Sequence, residues 1–201
     1  MLRLLALSWF AWAAGAASAA PRTVLVFGDS LSAGFGIAAA QAWPALLNRQ
    51  LAEANRYAVV NASIRGEPSA GGRARLPRAL AEFRPAVVVL ALGANDGLRG
   101  LPPAQLQDNL VQMVRDARKA GARVLLVGMR LPPNYGAEYN TAFEAAFAHA
   151  ARRERVPLLP FLLEPIAADA TAFQADRLHP VADVQGRLRD HVHRALRPLL
   201  E

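Results

Sequence analysis

Five short apolar runs, separated by segments of helical periodicity, constrain this chain more than any other feature. They are TVLVF at 23–27, YAVVNA at 57–62, AVVVLAL at 86–92, ARVLLVGM at 122–129 and VPLLPF at 156–161. The first four are rich in β-branched residues and almost continuously apolar, the pattern of strands covered on both faces. Prolines bracket and weaken the fifth. Between the runs, 41–55 sets Leu46, Leu47, Leu51 and Ala54 at helical spacing. The segment 103–121 places Leu106, Leu110, Met113, Val114 and Ala117 on one face and ends in Gly121, a C-terminal stop. Segments 137–154 and 183–200 are amphipathic in the same way. Such alternation requires right-handed crossovers, and so predicts a parallel sheet between two helical layers.

The 201 residues suffice for one domain with a substantial core. Hydrophobic residues at 53% against 19% charged exclude a disordered chain. The N-terminus reads differently: Arg3, then LLALSWFAWAA, then Ala17-Ser18-Ala19. A positive start, an apolar stretch and small residues before a cut are the pattern of a secretory signal peptide. The expectation is a signal peptide over 1–19, cleavage after Ala19, and one domain over 20–201 of a periplasmic or secreted protein. The absence of cysteine excludes thiolate nucleophiles, thiolate metal sites and iron–sulfur clusters. The net charge of +7 comes from scattered arginines without a basic, aromatic-interleaved stripe. No nucleic-acid partner is expected, and at most weak contact with a membrane surface. Oligomeric state is not legible.

Ligands of parallel α/β sheets bind at the carboxyl ends of the strands, and polar residues collect there. GDS follows the first run, SIRGEPSAGG the second, GANDG the third and RLPPNYG the fourth, while the fifth leads to DRLHP at 176–180. A serine attacks only when a base takes its proton and a third group orients that base. Ser30 stands at the first strand exit. His179 follows Asp176 by three residues in a loop, close enough for the carboxylate to reach its Nδ1. The competing reading makes Asp29 or Ser30 a helix cap. Gly34, Gly36 and Ala39 also fit a loose phosphate-cradle pattern, but lie too far beyond the strand and lack the acid at the second strand end. Gly66 and Asn95 can supply N–H donors to an oxyanion, or serve only as turn residues. His149, His191 and His193 fall on helices as surface or interface residues. At i and i+2 the last two point to different sides of a helix, so no metal site is expected.

Together GDSLS at 28–32, NASIRGEPSAGG at 61–72, GANDGLRG at 93–100 and DRLHP at 176–180 resemble the four ordered blocks of the SGNH, or GDSL, hydrolase family. GMRLPPNYG at 128–136 and FQAD at 173–176 resemble its periplasmic bacterial branch, with acyl-CoA thioesterase, lysophospholipase and arylesterase activities. The resemblance implies a flavodoxin-like three-layer α/β/α sandwich with a five-stranded parallel sheet. It implies Ser30 as nucleophile, His179 as general base and then acid, and Asp176 as its orienter. The oxyanion hole would comprise the Ser30 and Gly66 N–H groups and the Asn95 amide, with no metal or cofactor. The chain departs from the family at Arg177, where glycine is common, at Glu67-Pro68-Ser69 and at His179-Pro180-Val181. The expected substrate is a small acyl ester or thioester. An acetylated-carbohydrate esterase, or a non-catalytic lipid- or glycan-binding protein, is the alternative. Loop 131–136, with paired prolines and Tyr135, is a candidate wall of the acyl site.

Overall fold

A computed structural model describes residues 21–53 and 56–200; the expected signal peptide lies outside them. Five parallel strands form one sheet in the order β2-β1-β3-β4-β5. They are β1 (Arg22–Gly28), β2 (Tyr57–Asn61), β3 (Val87–Ala91), β4 (Arg123–Val127) and β5 (Leu158–Leu159). The helices are α1 (Ser30–Ala33), α2 (Trp43–Ala52), α3 (Ser69–Phe83), α4 (Ala94–Leu98), α5 (Pro103–Lys119), α6 (Ala137–Glu154) and α7 (Gln185–Leu196).

The strand pleat divides the interior into two cores. Leu25, Phe27, Val88, Leu90, Val124 and Leu126 face the layer of α3, α5 and α6. Val24, Val26, Val87, Val89, Leu125 and Val127 face α2 and α7, where Trp43, Leu47, Leu188 and Val192 are fully buried. These are the three layers expected. Two strands differ from expectation. β2 is an edge strand with partly exposed residues, so its apolar sequence overstates its cover. β5 keeps only two residues, because Pro157 and Pro160 cannot donate to a ladder.

Helix α3 had no expectation from periodicity, since Gly71, Gly72 and Pro77 all oppose a helix. Packing overrides that preference. A Cβ on Gly72 would collide with Leu92, so the glycine allows the helix to lie against the sheet. After β1 the chain crosses one face through α2 to β2. It returns over the other face through α3 to β3, making β1/β3 the point where the winding reverses. Gly28 pairs with Ala91, and the segments leaving these two strands open the crevice in which such folds bind ligands.

Candidate active site

Gly28 ends β1 in tight quarters: a Cβ there would lie 2.8 Å from Ser32 Oγ and 2.9 Å from the Ala91 carbonyl. Asp29 then takes extended backbone angles, and its Oδ1 accepts the Leu31 N–H at 3.0 Å. Asp29, not Ser30, is therefore the cap of α1, which leaves the Ser30 hydroxyl uncommitted to the helix. Gly34 (φ +71°) closes the single turn in the left-handed region, its N–H on the Ser30 carbonyl. Gly34 and Gly36 thus serve turn geometry, and the chain beyond them forms a 3₁₀ turn at Ala39–Gln41. Asp29 is 1% exposed. Burial raises its pKa to about 7, against the opposing hydrogen bonds from the Leu31 N–H and the Asn95 side chain.

The loop after β5 delivers the imidazole. Phe173 and Pro180 form an antiparallel bridge, and within it the Gln174 N–H donates to the His179 carbonyl at 2.8 Å. Asp176 Oδ1 accepts the Leu178 and His179 N–H groups at 2.9 and 3.0 Å, and Oδ2 accepts from His179 Nδ1 at 2.7 Å. The backbone N–H of His179 is the largest cause holding the Asp176 pKa down at about 2. With Nδ1 donating to a carboxylate, Nε2 is left as acceptor. It lies 2.8 Å from Ser30 Oγ. The cap role that the alternative reading offered to Asp29 or Ser30 falls to Asp29, and the Ser30 hydroxyl faces His179 instead.

Sequence reasoning missed two residues here. The Phe35 ring stacks on His179, with centroids 4.3 Å apart and planes at 29°. Gln174 Nε2 donates to the Phe35 carbonyl at 2.7 Å and to the Pro180 carbonyl at 3.1 Å, joining the serine loop to the histidine loop. Their sequence signal is weak; only the FQAD block marked Gln174. Arg177, at the position where glycine is common in the family, has φ +56°. This left-handed conformation explains why glycine suits the site.

Asn95 lies in α4, which starts after Gly93 (φ +131°). Next to it, Asp96 is 2% exposed and accepts the Ser69 N–H at 2.7 Å and the Ser69 hydroxyl at 2.5 Å. Asn109 Nδ2 donates in turn to Ser69 Oγ at 2.9 Å. This buried network locks α4 to the start of α3 and to the second turn of α5, and was not foreseen. Gly66 (φ +70°) occupies a turn closed by the Glu67 N–H on the Ile64 carbonyl, with φ positive only at its third residue, which favours glycine there. Arg99, at the end of α4, donates to the Gly66 carbonyl at 2.8 Å. Glu67 is clamped by Arg75 through both carboxylate oxygens, and Arg75 lies 4.0 Å over the Phe27 ring.

A cavity of about 280 Å³ opens beside Ser30, Asn95 and His179. Its walls are mainly apolar, from Leu31, Leu98, Met129, Leu131, Phe161 and Phe173, with Arg130 and Arg177 also lining it. Gly66 is not among the lining residues. Of loop 131–136, Leu131 and Pro132 form the wall; Tyr135 instead donates to the Leu98 carbonyl at 3.2 Å and supports α4 from behind. The remaining histidines are apart from the site chemistry. His149 contacts Gln107, His191 bonds the Phe161 carbonyl and His193 contacts Gln50.

Residues 26–186 match the model of the GDSL-like lipase/acylhydrolase family. The chain belongs to this family. Esterase TesA of Pseudomonas aeruginosa is 52% identical over 90% of this chain and 91% of its own length. The Escherichia coli K12 protein named thioesterase 1/protease 1/lysophospholipase L1 is 44% identical over 91% and 87%. Among solved structures, psychrotrophic esterase EstA from Pseudoalteromonas, inhibited by monoethylphosphonate, superposes with a TM-score of 0.85 at 36% identity, covering 89% of this chain and 98% of that one.

Proposed function

We propose that this family member is an exported serine hydrolase that cleaves carboxylic esters and thioesters of acyl chains through an acyl-enzyme. The observation that carries the reading is the continuous chain Asp176–His179–Ser30, with bonds of 2.7 and 2.8 Å, at the mouth of an apolar cavity. Ser30 Oγ attacks the acyl carbonyl while His179 Nε2 takes its proton. Asp176 fixes the tautomer and faces the imidazolium that forms. The tetrahedral oxyanion takes N–H bonds from Ser30, Gly66 and Asn95. Supporting this, Ser30 is the first residue of α1, where a helix leaves N–H groups free. The Gly66 N–H has no acceptor among the described residues. His179 then returns the proton to the departing alcohol or thiol. Water attacks the acyl-Ser30 by the same route in reverse. The apolar walls favour an acyl chain, and relatives named esterase and thioesterase support both leaving groups. The N-terminal pattern ending at Ala19 supports export with removal of residues 1–19.

A substrate panel tests the reading: short- and medium-chain p-nitrophenyl esters, an acyl thioester and an acetylated sugar. Turnover of the acyl esters and the thioester, lost in Ser30→Ala, is the expected result. Preference for the acetylated sugar alone, or no turnover of any, would overturn it.

A further inference from the structure

Among the described residues, the large hydrophobic side chains that remain exposed are Phe35 at 39%, Ile64 at 46% and Leu178 at 36%. Single exposed apolar residues mean little. These three come from different loops, after β1, after β2 and after β5, yet share one rim. The Ile64 N–H donates to the Gly28 carbonyl at 3.0 Å. The Arg65 guanidinium lies 5.4 Å from the Phe35 ring centre. Phe35 stacks on His179, the neighbour of Leu178. Two of the tips carry an arginine next to the apolar residue, Ile64-Arg65 and Arg177-Leu178, and Arg99 is exposed beside Gly66. Of the carboxylates next to these tips, Asp29 is buried and Glu67 is clamped by Arg75, which leaves Asp176, hydrogen-bonded to His179 and two N–H groups, as one ionised carboxylate against three arginines. Farther along the loop after β5, Asp169 pairs with Arg187 and Glu164 lies 3.6 Å from His191.

We infer that this rim is a docking surface for an anionic lipid bilayer, with Ile64, Phe35 and Leu178 entering the interface and Arg65, Arg99 and Arg177 meeting lipid phosphates. Charge complementarity favours this occupant, helped at longer range by a net charge of +7 for the full sequence, +6 without Arg3. A second protein copy needs about 800 Å² per partner, which three part-exposed side chains do not provide. A few apolar tips with adjacent arginines suffice for reversible interfacial binding. Because Arg177 and Leu178 also line the cavity, docking would turn its mouth to the membrane. That consequence rests on the acyl-hydrolase reading, whereas the docking itself does not.

The test is co-sedimentation of the chain from residue 20, which holds both cores and every strand, with lipid vesicles. One set is phosphatidylcholine alone, the other equal parts phosphatidylcholine and phosphatidylglycerol. Binding should be confined to the anionic vesicles and fall at least about tenfold between about 0.05 and 0.5 M salt. Ile64→Ser combined with Arg65→Gln should weaken it about tenfold, with the melting temperature unchanged. Equal binding to both vesicle types, no binding to either, or undiminished binding by the double variant at matched thermal stability would overturn the inference. So would vesicle-independent self-association that the double variant abolishes. Since binding is read without turnover, loss of docking and loss of hydrolysis are separately visible.

Discussion

Asp29→Asn isolates the energetic cost of the carboxyl group next to the candidate nucleophile. Asp29 is 1% exposed, and burial raises its pKa from 3.8 to about 7. Between these two values the folded chain holds a proton that the unfolded chain releases, so stability declines as pH rises through the window. The contribution is complete below about pH 4 and exhausted above about pH 7. A gap of roughly three units corresponds to a ceiling of about 4 kcal/mol, at 1.36 kcal/mol per unit. Asparagine caps a helix as well as aspartate and can still accept the Leu31 N–H. The variant should therefore match the native chain near pH 4 and exceed it in stability by up to about 4 kcal/mol near pH 8. Urea unfolding at intervals across this range measures the difference. Titrations such as that of Asp176, common to both proteins, cancel in it. A pH-independent difference would refute the reasoning. A native chain that gains on the variant as pH rises would show that hydrogen bonds, not burial, govern Asp29.

Two further substitutions probe the site and its scaffold. Asn95→Ala should lower kcat about 10²–10³-fold with little change in KM, as measured on a soluble ester. Ser69→Ala leaves Asp96 and Asn109 buried without their shared hydroxyl. It should cost about 1–3 kcal/mol in urea unfolding, and a cost near zero would mean that water replaces the hydroxyl.

The strands were legible because burial on both faces leaves a nearly unbroken apolar run, as in Val87–Ala91. The exception was the edge strand β2, where the same apolar composition gave no sign of which neighbour was absent. α3 was illegible for a related reason. Gly71, Gly72 and Pro77 carry no helical signal, and only contact with Leu92 and Phe27 makes glycine the fitting residue at position 72. Ser30, Asp176, His179, Gly66 and Asn95 were all legible as candidates from strand exits and spacing, because the chemistry requires particular residue types there. The resemblance to known blocks added the role implied for each. Phe35, Gln174 and the Ser69–Asp96–Asn109 network could not be found in this way. Each acts through partners far off in the chain, and residues of these types are common in loops and on helix surfaces.

The central claim is that His179 activates the hydroxyl of Ser30 across a 2.8 Å hydrogen bond. A fluorophosphonate probe, followed by mass spectrometry of the modified peptide, tests it most directly. The account predicts one label, on Ser30, absent from Ser30→Ala and formed at least about 10³-fold more slowly in His179→Ala. Labelling at another residue, or an unchanged rate in His179→Ala, would contradict it.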